Sequence, residues 1–185
     1  MKIKDFQTEF CFFGCRLDLL RKTQNSQKGM VIKMTKEIEE LQADIGSNLD
    51  EMIPAEYKTA WFFYERGKDI CTTYWYCYID ASTGKIIPAD GIDKRKDIII
   101  KDIDLFKRCE NHIIDDMDKL QDMYASEFGK QWYGITYQLN SDGSFDVSFD
   151  YEKPVGSLQK RREKWCMEHL GTMPPVVTID MIREW

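Results

Sequence analysis

The chain is short of the residues and motifs on which most catalysis rests. Among 185 residues there are two histidines, His112 and His169. No glycine-rich phosphate loop, Ser-x-x-Lys pair or His-Glu-x-x-His motif occurs, which removes the common routes to nucleotide binding and to serine or zinc hydrolysis. A Cys–His nucleophile would have to use Cys109 or Cys166, and nothing around either thiol would activate it. Asp142-Gly143 lacks the further oxygen ligands of a calcium loop. No apolar run approaches the ~20 residues of a membrane span, and Phe10 to Phe13 is too short a core for a secretory signal. Neither an internal repeat nor a low-complexity segment is present.

What the chain does contain is charge and aromatic surface. Its net charge is −6, with 13% aromatic residues. The charge is uneven: residues 1–33 carry seven Lys/Arg against three Asp/Glu, whereas residues 34–170 carry 18 against 27. An acidic body disfavours nucleic acid as a partner and suits a basic protein. Six cysteines without the spacing of a disulfide framework point to the cytoplasm.

The pattern along the chain predicts α+β architecture. Residues 1–33 stand apart as an N-terminal extension. Lys28-Gly29 before Met30 is consistent with a translated ribosome-binding site and a working start at Met30 or Met34; the competing reading is a helix over residues 6–22. In the main body, residues 34–171, Ile38, Leu41, Ile45 and Leu49 form one helical stripe after a Thr35 cap. Aromatic stretches at 57–65 and 70–80 read as a hairpin, followed by a short strand ending at Pro88 and a charged loop over Lys94, Arg95 and Lys96. A long helix capped by Asp102 or Asp104 buries Ile103, Phe106, Ile113, Met117, Leu120 and Tyr124, with Cys109 alongside, and stops at Gly129. Residues 132–152, WYGITYQLNSDGSFDVSFDYE, read as a second hairpin: Phe145, Val147, Phe149 and Tyr151 alternate with Asp146, Ser148, Asp150 and Glu152. A last helix starts at Ser157 and ends at Gly171. Residues 172–185 form a tail, either a short added strand or a loose end. The expectation is an antiparallel sheet of two hairpins with N-terminal, long central and C-terminal helices packed on it.

Two spacings invite a metal. Cys109…His112 and Cys166…His169 are both Cys-x-x-His steps, and a zinc ion would be held if the long and last helices were neighbours. Burial of the cysteines explains the same spacing without metal. The aromatics Trp61, Phe62, Phe63, Tyr74, Trp75, Tyr76 and Tyr78 exceed what one sheet face can hold. Those on the second face are either covered by a helix or exposed to a partner.

The order of pieces resembles the YezG-like immunity protein family, antitoxin partners of bacterial polymorphic and LXG-type toxins. The stretches that carry the resemblance are LDEMIP at residues 49–54, the aromatic hairpin and the acidic helix leading to Trp132. The hairpin over 132–152 and KWCMEHLG, with Trp165, Leu170 and Gly171, are the strongest. Coverage is about residues 34–171. The resemblance implies a cytoplasmic binding protein that neutralises a cognate toxin domain, commonly a nuclease, without enzymatic activity or cofactor. It brings no site residues with it. Charge points to Asp146, Asp150 and Glu152 on the outer hairpin face as toxin contacts, helped by Asp115, Asp118 and Asp122; that the face is merely solvated, or covered by a helix, is the plainer alternative. A small metal-dependent enzyme using the Cys/His pairs, or a structural interaction module, are the other readings.

Overall fold

A computed structural model describes residues 36–67, 70–89, 91–178 and 181–182. The expectations for the N-terminal extension and the Thr35 cap fall outside them. The elements are α1 (Lys36–Met52), β1 (Tyr57–Gly67), β2 (Ile70–Asp80), β3 (Ile86–Pro88), α2 (Ile103–Phe128), β4 (Gly134–Asn140), β5 (Phe145–Asp150) and α3 (Leu158–His169), with a 3-10 turn at Ile92–Lys94 between β3 and α2. The five strands pair antiparallel in the order β3-β2-β1-β4-β5. This is the α+β fold the sequence predicts.

The middle of the sheet is β1, and it is buried on both faces: Ala60 through Glu65 are all shielded from solvent. Side chains alternate along a strand, so β1 divides its aromatics between two cores. Phe62 and Tyr64 point one way, with Tyr76, Tyr78, Ile135, Tyr137 and Leu139 from the neighbouring strands. The stripes of α1 (Ile38, Ile45, Leu49, Met52) and α2 (Phe106, Cys109, Ile113, Met117, Leu120, Tyr124) close over them. Trp61, Phe63, Trp75 and Cys77 point the other way and meet Trp165 and Cys166 of α3. The sheet is thus a filling between two acidic helices and one short basic helix.

Local chemistry sets the ends of these elements. Asp102 caps α2 by accepting the Leu105 N–H at 2.8 Å, and Gly129 ends it at φ 63, where the left-handed backbone favours glycine. Ser157 caps α3, accepting the Lys160 N–H at 3.4 Å. In the β2–β3 turn the Asp80 carboxylate accepts from the Ser82 and Thr83 hydroxyls and the Thr83 N–H, which lower its pKa to about 2. The buried Gln121 amide donates to the Trp132 carbonyl at 2.7 Å and the Arg66 carbonyl at 3.2 Å, tying α2 to the start of the second hairpin and the end of β1.

One expectation is corrected. Ile103 is 40% exposed, because the first turn of α2 runs past the buried stripe that begins at Phe106. Within the charged loop Arg95 is 3% exposed: its guanidinium grips Asp97 and donates to the Pro88 carbonyl at 2.5 Å. Among the described residues of the tail, Ile182 forms an isolated antiparallel bridge with Arg95 and the Met181 carbonyl accepts the Lys96 N–H.

Candidate interaction surface

The second hairpin presents its acidic residues as a row. Phe145, Val147 and Phe149 face α1 and α2, half-buried: Phe145 stacks on Tyr137, and Phe149 packs against Tyr124 and Trp132. Alternation sends Asp146, Ser148 and Asp150 to the opposite, α3 side, where all three are exposed. Glu152 follows, exposed, with its N–H donating to Asp150 at 2.8 Å. Tyr151 lies past the end of β5 and is 44% exposed, so the inner row of the hairpin closes at Phe149. The turn holds this geometry: Asp142 accepts the Ser144 N–H and hydroxyl, which keep its pKa below the usual carboxylate range, and Gly143 takes φ 82.

The carboxylates on α2 are used differently. Asp115 and Asp122 are exposed. Asp118 accepts the Tyr64 hydroxyl and lies 3.3 Å from Arg66, which also approaches Asp122 at 3.7 Å. Burial and then the Asp118 contact raise the Tyr64 pKa, so the phenol stays protonated and donating. Asp118 is therefore a strut of the fold as well as a surface charge. The hairpin row and the α2 group do not share a face, because Tyr64 belongs to the helix-pair side of the sheet and Asp146 and Asp150 to the α3 side. A single partner meeting both sets has to straddle the edge of the sheet.

The sheet also sorts charge in a way the sequence reading missed. Helix α1 carries Glu37, Glu39, Glu40, Asp44, Asp50 and Glu51 against Lys36, and all six carboxylates are exposed. Helix α3 carries Lys160, Arg161, Arg162 and Lys164 against Glu163 and Glu168. The signal was present in the composition of residues 36–51, but an amphipathic stripe drew attention to the apolar side.

The Cys/His pairs do not converge. Cys109 is buried in the core under α2, and Cys166 in the core under α3, on opposite faces of the sheet. The helices are not neighbours, so the condition for a shared zinc ion fails. Burial and the negative charge of Glu51 raise the Cys109 pKa, and its thiol donates to Glu51 at 3.6 Å, the reverse of what a thiolate ligand requires. His112 and His169 are both exposed, and the His169 ring stacks on Trp165 with centroids 4.8 Å apart. Among the described residues no group of three or more His, Cys, Asp or Glu side chains is placed to hold a metal ion.

The second aromatic face is covered rather than exposed. Phe63 stacks on Trp75 at 4.2 Å, Trp165 meets Trp75 edge-on, and the Trp165 indole N–H donates to Thr136 at 2.9 Å. Of the two alternatives for those aromatics, the structure takes the helix. No helix among the described residues is long and apolar enough to cross a membrane.

The fold is an α+β domain with a core on each face of its sheet and, among the described residues, an edge strand, β5, that pairs on one side. Comparison with known families is specific: the model of the family described as immunity protein YezG-like matches residues 38–179, and the chain belongs to that family. A curated relative, the immunity protein YezG of Bacillus spizizenii, is 22% identical over 148 residues, covering 78% of this chain and 89% of the relative.

Proposed function

We propose that this protein is a cytoplasmic antitoxin that binds and neutralises a cognate polymorphic toxin domain, by contact and not by catalysis. The observation that carries the reading is family membership over most of the fold. The surface supports a basic partner, for which a nuclease is the natural class, since a cleft that accepts phosphates presents cations. Carboxylates aimed at such a cleft accelerate encounter and select the right partner. Asp146, Asp150 and Glu152 form the contact row, with Asp115 and Asp122 as outlying charges and Asp118 contributing through its hold on Arg66. Neither cofactor nor nucleic acid takes part.

The test is co-expression with candidate toxin domains taken from the genes that flank this one. The reading expects the two chains to purify together and growth to be restored. Separate purification with no rescue would overturn it.

A further inference from the structure

The sheet has two ends, and they are finished differently. At one end β3 is three residues long and stops at Pro88, a short edge with a residue that cannot donate. At the other end β5 has six residues, pairs with β4 over six consecutive positions without a register shift, and contains neither proline nor lysine. Among the described residues, β5 is hydrogen-bonded to β4 alone.

The direction of its free backbone groups follows from the hairpin closure. The Asn140 N–H donates to the Ser144 carbonyl at 2.8 Å, so the alternation of an antiparallel ladder makes Asp146 and Ser148 the residues bonded to Gln138 and Thr136. Phe145, Val147 and Phe149 then turn their N–H and C=O groups away from the sheet. Their side chains lie on the helix-pair side, half-buried, leaving apolar surface for a neighbour's side chains to cover.

Resting on the toxin-binding reading, we infer that β5 accepts an extended strand of the toxin domain as a sixth strand of the sheet. Its sequence would alternate, with Lys or Arg opposite Asp146 and Asp150 and apolar residues beside Phe145, Val147 and Phe149. Main-chain bonds supply affinity in this mode, and the alternating side chains supply specificity. Charge also disfavours one register of pairing with a second copy of this chain. Antiparallel self-pairing centred on Ser148 sets Asp146 opposite Asp150 twice, and like charges directly opposed on neighbouring strands are destabilising. The exposed carboxylates of Asp146 and Asp150 favour a basic strand as the occupant. Strand addition here also explains how one partner reaches both acidic groups, because an edge is where the two faces of a sheet meet.

The experiment is amide hydrogen exchange on the isotopically labelled full chain, alone and mixed with the toxin domain that co-expression identifies. The inference expects the amides of Phe145, Val147 and Phe149 to be exposed in the free protein and slowed by about tenfold or more in the complex, as for newly paired backbone groups. Those of Asp146 and Ser148, already bonded to β4, change less. Val147→Pro removes an outward N–H that the β4 ladder does not use and should weaken the complex by about tenfold or more, whereas Val147→Thr, which keeps it, should not. A thermal melt confirms that both variants are folded; if Val147→Pro unfolds, the exchange pattern alone decides. A complex that forms with edge exchange unchanged overturns strand addition and leaves the toxin reading standing. No complex overturns both. Protection that grows with protein concentration, without toxin, overturns the inference in favour of self-pairing.

Discussion

Glu65, on the central strand, and Arg161, on the last helix, form a two-pronged ion pair across the sheet face: Nη2 to Oε1 at 2.6 Å and Nε to Oε2 at 3.0 Å. Glu65 is 3% exposed, and Arg161 also donates to the Gly156 carbonyl at 2.6 Å. With Trp165 one helical turn further on, this pair docks α3 over the second core. A buried pair adds little net stability once desolvation is counted, but losing one partner strands a charge. Glu65→Ala or Arg161→Ala should each destabilise the fold by about 3–5 kcal/mol. The double change Glu65→Met with Arg161→Leu should cost clearly less than the sum. Urea melts of the three variants check this, and full additivity would contradict it.

Trp165 is the apolar half of the same attachment. It is 5% exposed, touches Phe63 and Trp75, and donates to Thr136. Trp165→Ala removes a large buried side chain and should cost about 3–5 kcal/mol, with loss of near-ultraviolet circular dichroism from the aromatic cluster. A change below ~1 kcal/mol would mean that α3 is not held by this core.

Desolvation against Trp165 lowers the pKa of His169, opposed by the charge of Glu168. Its folded pKa therefore lies below the ordinary value of about 6.5 that it regains on unfolding. Between those values the unfolded chain binds the extra proton, so stability falls as pH drops from about 7 through the unfolded pKa. His169→Asn should flatten that part of the curve, measured by urea midpoints at successive pH values. An unchanged slope would show that the ring does not sense the core.

Charge reversal at Asp146, Asp150 and Glu152 should leave the melting temperature nearly unchanged, since all three are exposed on the open side of the hairpin. It should slow association with the toxin domain, most at low ionic strength, where steering is least screened. Stopped-flow mixing at two salt concentrations measures this; equal rates for the variant and the native chain would remove these residues from the interface.

The hairpin over residues 132–152 was legible because two independent signals agree there. Period-two alternation places Phe145, Val147 and Phe149 together, and Asp142-Gly143 supplies the turn. The stripe of α2 was legible for the same reason at period 3.6. What could not be read was how elements lie on one another. Only Trp165 and Cys166 are fully buried on α3, too few to reveal which sheet face it covers. That assignment depends on the chain passing, between Asp150 and Leu158, to the sheet face opposite α1 and α2, a global fact without local signature. It is also why the two Cys-x-x-His steps looked compatible with one ion and why the acidic residues on the hairpin and on α2 looked like one patch. The burial of Arg95 has no local signal, because it depends on Pro88 and Asp97, which fold around it.

Neutralisation of a nuclease toxin by stoichiometric binding, as proposed, is tested most directly by titrating the purified protein into the toxin domain that co-expression identifies while following cleavage of DNA and RNA substrates. Cleavage should fall to background near one equivalent and stay there; cleavage undiminished in the presence of excess protein would contradict the proposal.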